Sequence, residues 1–168
     1  LAGADIVNDI SGLRNDPDMA DAIRDLTPYV VIMHMKGTPG DMQKAPYYDD
    51  VITEIRAFFL ERMRYAADSG IEEEKIILDA GIGFGKRLED NLKILKALDG
   101  FAAIGRPLLV GTSMKGFIGT ITGSSLKGRI EGTLASIAIA VWNGAAIVRV
   151  HDVKRTSKVV KLVDAIKK

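Results

Sequence analysis

The sequence predicts an α/β protein built on a parallel β-sheet. Five short apolar runs alternate along the chain with stretches whose apolar residues recur at helical spacing. The runs are mostly continuous in their apolar residues rather than alternating, as in parallel strands covered on both faces. Regular alternation of strand and helix is typical of right-handed βαβ units, so we expect helices to join neighbouring strands.

The predicted strands are six to eight residues long. They comprise residues 4–9 (ADIVND), 29–35 (YVVIMHM), 75–80 (KIILDA), 107–113 (PLLVGTS) and 145–152 (AAIVRVHD). The longest irregular segment, residues 36–48, follows the second strand and is a candidate for a mobile lid. The chain contains no linker or low-complexity tract, which predicts a single domain over residues 1–168.

Helices are predicted in the intervals. Asp16 and Pro17 are preferred residues for an N-cap and a first helical position, so one helix is expected over 16–26. Another is expected over 49–69, and a short helix opens at Lys115. The other three helices carry apolar stripes, which are Leu88, Leu92, Leu95 and Leu98; Ile130, Leu134, Ile137 and Val141; and Val159, Leu162, Val163 and Ile166.

Composition excludes several classes of function. The 168 residues carry 23 basic and 22 acidic side chains without a block of like charge, so we expect neither a nucleic-acid partner nor a membrane surface. The absence of cysteine excludes disulfides, thiolate metal sites and a cysteine nucleophile, and it is consistent with a cytoplasmic protein. The most apolar stretch, residues 134–142, is too short to span a bilayer.

Polar residues collect where each predicted strand ends. They are Asn8 and Asp9, then His34, Asp79, Ser113 with Lys115, and finally Arg149, His151 and Asp152. A β/α barrel and a doubly wound open sheet both bind ligands at the carboxyl ends of their strands, and both architectures remain open at this point. His34, between two methionines, is more typical of a packed, hydrogen-bonded core histidine than of a ligand.

The residue types suggest the kind of ligand. A carboxylate such as Asp79 pairs with two adjacent N–H donors, as on a 2-amino-4-oxo pyrimidine ring, and Asn8 can donate and accept at another edge. Arg149 beside His151 suits a phosphate or pyrophosphate, and Lys115 opens a helix whose first amides favour an anion. The plainer interpretations are that Asp79 caps a turn and that Lys115 is solvated.

Three glycines, at 81, 83 and 85, follow Asp79. Their spacing matches neither the dinucleotide fingerprint nor the P-loop. They would instead let the backbone approach a flat ligand, with Phe84 and Met33 as apolar walls. The spacing of histidines and carboxylates is not that of a metal site.

Six short motifs occur along the chain, each of them once. They are NDISG (8–12), MHMKGTP (33–39), LDAGIGFGK (78–86), GTSMKGFIG (111–119), RIEGTLA (129–135) and VRVHDV (148–153). Their order and spacing resemble those of the dihydropteroate synthase family. The resemblance implies joining of 4-aminobenzoate to a 6-hydroxymethyl-dihydropterin pyrophosphate, with release of pyrophosphate, in folate biosynthesis. It also implies a (β/α)8 TIM barrel, usually a homodimer, of which this chain would be strands four to eight with their helices.

The resemblance also implies roles for individual residues. The implied pterin-binding residues are Asn8, Met33, Asp79, Phe84, Gly111 and Lys115. Arg149 and His151 are implied to bind the pyrophosphate and, together with Lys115, to act in catalysis. Ser113 and Gly116 are implied to lie near the aminobenzoate. Mg²⁺ is expected to accompany the pyrophosphate, with its protein ligand outside this chain and no metal ligand within it.

The chain departs from the family pattern at several points. Ala80 stands where proline is usual, and Met114 and Gly116 interrupt a usual Ser-Arg-Lys-Ser, which removes a hydroxyl near the aminobenzoate carboxylate. Strands one to three would be absent, so we expect open edges at 4–9 and 145–152, self-association, and no activity of this chain alone. Two alternatives stay open: a methyltetrahydrofolate:corrinoid methyltransferase module, which does not need a pyrophosphate pair, and a non-catalytic paralogue.

Overall fold

The computed structural model describes residues 3–26 and 28–168, in which strands and helices alternate as the sequence predicts. The strands are β1 (Ile6–Asp9), β2 (Tyr29–Met33), β3 (Ile76–Asp79), β4 (Leu108–Val110) and β5 (Ile147–Val148). The α-helices are α1 (Met19–Leu26), α2 (Val51–Asp68), α3 (Leu88–Lys96), α4 (Leu98–Ala102), α5 (Gly116–Thr122), α6 (Ile130–Trp142) and α7 (Val153–Lys167). Short 3₁₀ helices lie at Glu73–Lys75 and Leu126–Gly128.

The strands form one parallel sheet in the order β1-β2-β3-β4-β5. Every crossover therefore steps to the next strand in the same direction, and right-handed crossovers of that kind place their helices on one face of the sheet. A doubly wound sheet reverses its direction at a switch point instead. The strand order confirms the barrel-type arrangement, here as a half-barrel with β1 and β5 at its two edges.

The sheet separates two apolar layers because alternate residues of each strand point to opposite faces. On the helical side, Phe59 of α2 and Phe101 of α4 are fully buried and meet edge to face with ring centroids 5.7 Å apart. The inner side carries a smaller cluster of Val31, Ile77 and Leu109, with Ile147 packed against it. Met33 and Asp79 lie two residues further along their strands, so the inner face leads to the carboxyl ends.

The strands are shorter than the sequence predicts, chiefly at their carboxyl ends. The residues that leave the ladder include the polar ones, such as His34, Ser113 and His151. Their side chains bond to groups on neighbouring loops and strands instead of continuing the regular pleat. Beyond the end of strand pairing, Ser113 and His151 contact each other, whereas His34 contacts Lys86 and Phe58.

The single apolar helix predicted through residues 88–98 is wrong in part. Leu98 begins a separate helix, and Leu92 is 43% exposed. α3 instead buries Asp90 and Asn91, whose side chains accept hydrogen bonds from backbone N–H groups of the turn before the helix. Polar residues occupy the buried stripe because the backbone of that turn needs acceptors.

Two further helices differ from the prediction. α1 begins at Met19, three residues later than predicted. α7 buries Val163, but Leu162 and Ile166 are each 62% exposed, so its inward stripe is narrower than the apolar pattern suggests. None of the helices in the described part of the chain is long and apolar enough to cross a membrane.

Candidate functional site

Asp79 ends β3 in a fully enclosed position. Its side chain is 3% exposed, and its Oδ1 accepts a hydrogen bond from the backbone N–H of Gly81 at 2.7 Å. Burial raises the pKa of the Asp79 carboxyl, while the Gly81 hydrogen bond and the charges of Arg149, Lys115 and Lys86 oppose that rise. The carboxylate thus caps its own turn, as the plainer interpretation predicted, and retains unused acceptor capacity beside three cations.

The glycine turn, residues 81–85, packs directly on the backbone that follows β2. Gly81 and Gly85 have φ angles of 65° and 64°, and a Cβ atom on either would overlap a carbonyl oxygen, that of His34 for Gly81 and that of Lys36 for Gly85. Glycine is therefore required at both positions for conformation and for space. The turn and the end of β2 form one unit.

Segment 36–48 lies over the glycine turn. The Tyr48 hydroxyl donates to the Gly85 carbonyl at 2.7 Å, and Gln43 Nε2 donates to the Gly83 carbonyl at 2.8 Å. These two contacts hold the segment against the glycine turn, and its role as a mobile lid stays a prediction.

Lys115 reaches back from the end of the fourth βα loop to the glycine turn. Its ammonium donates to the Ile82 carbonyl and lies 4.3 Å from the centroid of the Phe84 ring. Burial lowers the pKa of Lys115 to about 8; Asp79 acts in the opposite direction, and Arg149 lowers it further. The sequence prediction that this lysine and Asp79 share one crevice is consistent with this geometry.

The loop that carries Lys115 is held in an unusual conformation. Met114 has a φ angle of 60°, which is rare for a residue other than glycine. Thr133 of α6 accepts a hydrogen bond from the Met114 N–H at 3.0 Å, and Arg129 donates to the Met114 carbonyl at 3.0 Å. Gly119 of α5 makes room for Arg129, because a Cβ there would lie 2.7 Å from the guanidinium Nε. The RIEGT stretch therefore holds the Lys115 loop, a role that the sequence analysis missed.

A cleft of about 250 Å³ opens between the ends of β4 and β5. It is lined by Gly111, Ser113, Lys115, Arg149, Val150 and His151. Ser113 Oγ and His151 Nδ1 lie 2.8 Å apart, and the His151 backbone N–H donates to the same hydroxyl at 3.3 Å. The Arg149 guanidinium passes over Gly111, where a Cβ would lie 3.6 Å from its Nε. Cationic and hydrogen-bonding groups thus converge on one small open space.

Other predicted residues lie on β1 and β2, away from this cleft, or serve the fold. Met33 is fully buried and pairs with Asp79 in the sheet register, whereas Asn8 on β1 is exposed. Asp9 is used by its own turn, accepting from the Ser11 N–H at 2.8 Å. Asp152 caps α7 by accepting from a backbone N–H at 2.9 Å.

His34 is the packed core histidine that the sequence predicted. It is 6% exposed, its ring meets that of Phe58 edge-on at 4.9 Å, and its Nδ1 lies 3.0 Å from Lys86 Nζ. Burial, followed by the charges of Lys86, Arg14 and Lys36, lowers the pKa of His34 to about 2. The sequence analysis assigned no role to Lys86, which follows Gly85 directly and is 4% exposed in the structure.

The described residues do not form a metal site of their own. Over residues 3–26 and 28–168 no group of three or more His, Asp and Glu side chains is placed to hold an ion. The side chains at the cleft, Lys115, Arg149 and His151, suit an anion rather than a hard cation such as Mg²⁺, which takes oxygen ligands.

The strand order defines this molecule as a barrel-type α/β protein, and its polar cleft lies at the carboxyl ends of the strands, where barrels of this kind bind their ligands. The family model described as pterin binding enzyme matches residues 1–151. The chain therefore belongs to the pterin binding enzyme family.

Relatives and solved structures refine this assignment. Dihydropteroate synthase of Escherichia coli (strain K12) is 42% identical over 163 residues, which are 97% of this chain and 57% of that protein. The synthase of Bacillus subtilis (strain 168) is 37% identical over 164 residues, 98% of this chain and 55% of that protein. The chain thus spans somewhat more than half the length of these curated relatives.

Two crystal structures show the same arrangement. Yersinia pestis dihydropteroate synthase with a sulfonamide drug complex superposes with a TM-score of 0.96 at 38% identity, covering 99% of this chain and 60% of that one. The Xanthomonas albilineans synthase in complex with 7,8-dihydropteroate gives a TM-score of 0.91 at 38% identity, covering 99% and 59%. These similarities confirm the TIM-barrel type inferred from the strand order.

The packing of the glycine turn leads to a first prediction. Gly85→Ala should lower the free energy of unfolding by at least about 2 kcal/mol, because alanine is strained at this φ angle and its methyl group overlaps the Lys36 carbonyl. Gly100→Ala is the matched control, since a Cβ there meets nothing within 4 Å and alanine favours the helix. Urea unfolding of both variants measures the difference, and equal stabilities would contradict the packing described.

The burial of His34 leads to a second prediction. The unfolded chain binds a proton at this imidazole below about pH 6.5, whereas the folded chain does so only near pH 2. The free energy of unfolding should therefore fall as the pH falls through this window, by about 2 kcal/mol between pH 7.5 and 5 from this group. His34→Gln should remove that part of the pH dependence in urea unfolding, and His151→Gln, at the exposed histidine, should leave it unchanged.

Proposed function

We propose that this chain provides the pterin and pyrophosphate sites of a dihydropteroate synthase. The reaction would join 6-hydroxymethyl-7,8-dihydropterin pyrophosphate to 4-aminobenzoate and release pyrophosphate. The observation that carries the proposal is the convergence of the buried Asp79 with the half-buried Lys115 and the exposed Arg149 at one end of the sheet, with His151 beside Arg149. Two relatives that bear the synthase name, from Escherichia coli and Bacillus subtilis, align over nearly the whole chain and support it.

Asp79 suits the amino-pyrimidine edge of a pterin. One of its oxygens is partly used by the Gly81 amide, and the remaining lone pairs can accept two parallel N–H groups. Phe84 is half-buried beside this position and offers an aromatic surface to a flat ring. Asn8 and Met33 extend the proposed slot toward β1 and β2.

The reaction that this arrangement supports is dissociative. The bond between the exocyclic methylene carbon and the pyrophosphate oxygen breaks, and its electron pair leaves with the pyrophosphate. The amine of 4-aminobenzoate then donates its lone pair to the methylene carbon, and the resulting ammonium loses one proton. The carboxylate of Asp79 stabilises the cationic pterin, while Arg149 and His151 stabilise the negative charge that develops on the leaving group.

The aminobenzoate would approach from the side of Ser113 and Gly116. The Ser113 hydroxyl is hydrogen-bonded to His151, so its first effect is to orient that histidine. Gly116 begins α5 and adds no side-chain donor for a carboxylate. We expect sulfonamides, which resemble the arylamine, to compete for this position, as the drug complex of the Yersinia pestis relative suggests.

Mg²⁺ is proposed to accompany the pyrophosphate. The described residues do not supply an oxygen-rich site, so the ion would be held mainly by the substrate oxygens, and this chain's part is to bind the diphosphate through Arg149 and His151.

A cytoplasmic homodimer is the proposed setting of the reaction. Exposed apolar side chains on α6 and α7 support an interface between two copies. They are Ile139, Trp142, Leu162 and Ile166. The cytoplasmic location rests on the absence of cysteine.

The third prediction tests the pyrophosphate site. In the intact protein, Arg149→Ala should weaken binding of the pterin pyrophosphate at least tenfold more than binding of the bare hydroxymethyl pterin, because the lost contact is to the diphosphate. Arg155→Ala is the control, since that guanidinium lies nearby with its side chain 64% exposed. Equal weakening of both ligands would place Arg149 outside the pyrophosphate site.

The fourth prediction tests the pterin site and the activity. Asp79→Asn should cost about 2–4 kcal/mol in pterin binding, because an ionic acceptor is replaced by a group that presents its own N–H donors to the ligand. Asp164→Asn on α7 serves as the exposed control. Dihydropteroate formation and pterin titration measure the effect. An intact protein that binds methyltetrahydrofolate but not the pterin pyrophosphate would favour the corrinoid methyltransferase module instead.

A further inference from the structure

Lys86 is a buried lysine for which the proposed reaction has no use. It is 4% exposed, and its ammonium contacts three neutral acceptors. They are His34 Nδ1 at 3.0 Å, the Phe84 carbonyl at 3.0 Å and the His34 carbonyl at 3.3 Å. An interior ammonium is costly unless its surroundings compensate for lost water, so its presence requires a reason.

The three contacts link the two halves of the candidate site. Phe84 belongs to the glycine turn and His34 to the end of β2, so the ammonium joins the turn to the sheet. A Cβ on Gly81 would lie 3.4 Å from the same nitrogen. Lys86 Nζ therefore lies next to Gly81, whose amide donates to Asp79.

The charge of Lys86 also faces the Asp79 carboxylate. Burial lowers the pKa of Lys86 to about 7, Asp79 raises it, Lys115 lowers it, and Asp90 raises it. His34, in contact with Lys86, is neutral at that pH. Its Nδ1 accepts from the ammonium, which places the ring proton on Nε2.

The other cations near Asp79 differ from Lys86 in exposure. Arg149 and Lys115 also act on this carboxyl group. Arg149 lies at the exposed edge of the cleft, where salt screens its charge, whereas Lys86 is enclosed and is screened much less. The influence of Lys86 should therefore persist at high ionic strength.

We propose that Lys86 is a positioning residue of the pterin site, which clamps the glycine turn to His34 and supplies a positive charge behind Asp79. It acts through the turn and through its charge and does not touch the ligand. The identity of the ligand rests on the proposed function, but the clamp and the charge are features of this chain's own residues.

The test compares Lys86→Met with Lys96→Met, which removes an exposed lysine from α3. The dissociation constant of 6-hydroxymethylpterin is measured by fluorescence titration of the intact protein from pH 5 to 9. The titration is carried out in low salt and in about 0.5 M NaCl, a concentration that screens exposed charges from one another. We expect Lys86→Met to weaken pterin binding about tenfold at both salt concentrations. The acid limb of the binding profile, which is the pH range over which pterin binding is lost on acidification, should move upward by roughly half to one pH unit. Lys96→Met should match the unsubstituted protein.

The possible outcomes distinguish a failure of the proposed function from a failure of the role proposed for Lys86. An unsubstituted protein that does not bind the pterin rejects the proposed function. If Lys86→Met binds the pterin and its acid limb lies at the same pH as in the unsubstituted protein, the proposed role of the Lys86 charge is rejected. A lysine with a purely structural role would change the affinity without changing its pH dependence. If Lys86→Met does not fold, ¹³C NMR of the unsubstituted protein decides. The Asp79 carboxyl resonance should shift where Lys86 loses its proton, and a resonance that does not respond overturns the proposal.

Discussion

The candidate site depends on the direct contact between the glycine turn and the backbone after β2. Gly81 and Gly85 face the carbonyl groups of His34 and Lys36 with no space for a side chain. This contact fixes the amide that binds Asp79 and presents Phe84 beside it. The carboxylate and the Phe84 ring keep their relative positions because the contact of two backbones, rather than of two flexible side chains, determines the spacing.

A second constraint is the balance of charge around Asp79. The carboxyl group is fully buried, and burial alone favours its neutral form. Lys86, Lys115 and Arg149 oppose that tendency from the turn, the fourth βα loop and the end of β5. The pKa values of the two buried lysines are lowered by the same enclosure. The Asp79 carboxylate favours the charged forms of both lysines, and the cations favour the charged form of Asp79, which couples three segments that are distant in sequence.

Much of the fold could be predicted from the sequence because parallel strands and their polar carboxyl ends leave local signals. Apolar runs gave the strands, and Asp79, Lys115 and Arg149 stood out as polar residues at strand ends. The burial of Asn91 left no such signal. Its side-chain oxygen accepts a hydrogen bond from the Gly83 amide, which lies outside the helix whose periodicity was analysed. Periodicity measures the apolar stripe of a helix, but it does not register the hydrogen bonds that an adjoining loop requires.

The conformation of the Met114 loop bears on the position proposed for 4-aminobenzoate. Met114, whose backbone is in the left-handed region, is held by two hydrogen bonds. Thr133 accepts one from the Met114 N–H, and Arg129 donates the other to the Met114 carbonyl group. The loop conformation therefore depends on α6 rather than on the side chain at position 114. Methionine here, where the family usually has arginine, is thus compatible with the placement of Lys115 in the same crevice as Asp79. Glycine at 116 changes only which groups remain at the position proposed for the arylamine carboxylate. The departures at positions 114 and 116 concern the proposed aminobenzoate end of the cleft, while Ala80 follows Asp79 at the proposed pterin end, where the Gly81 amide still donates to the carboxylate.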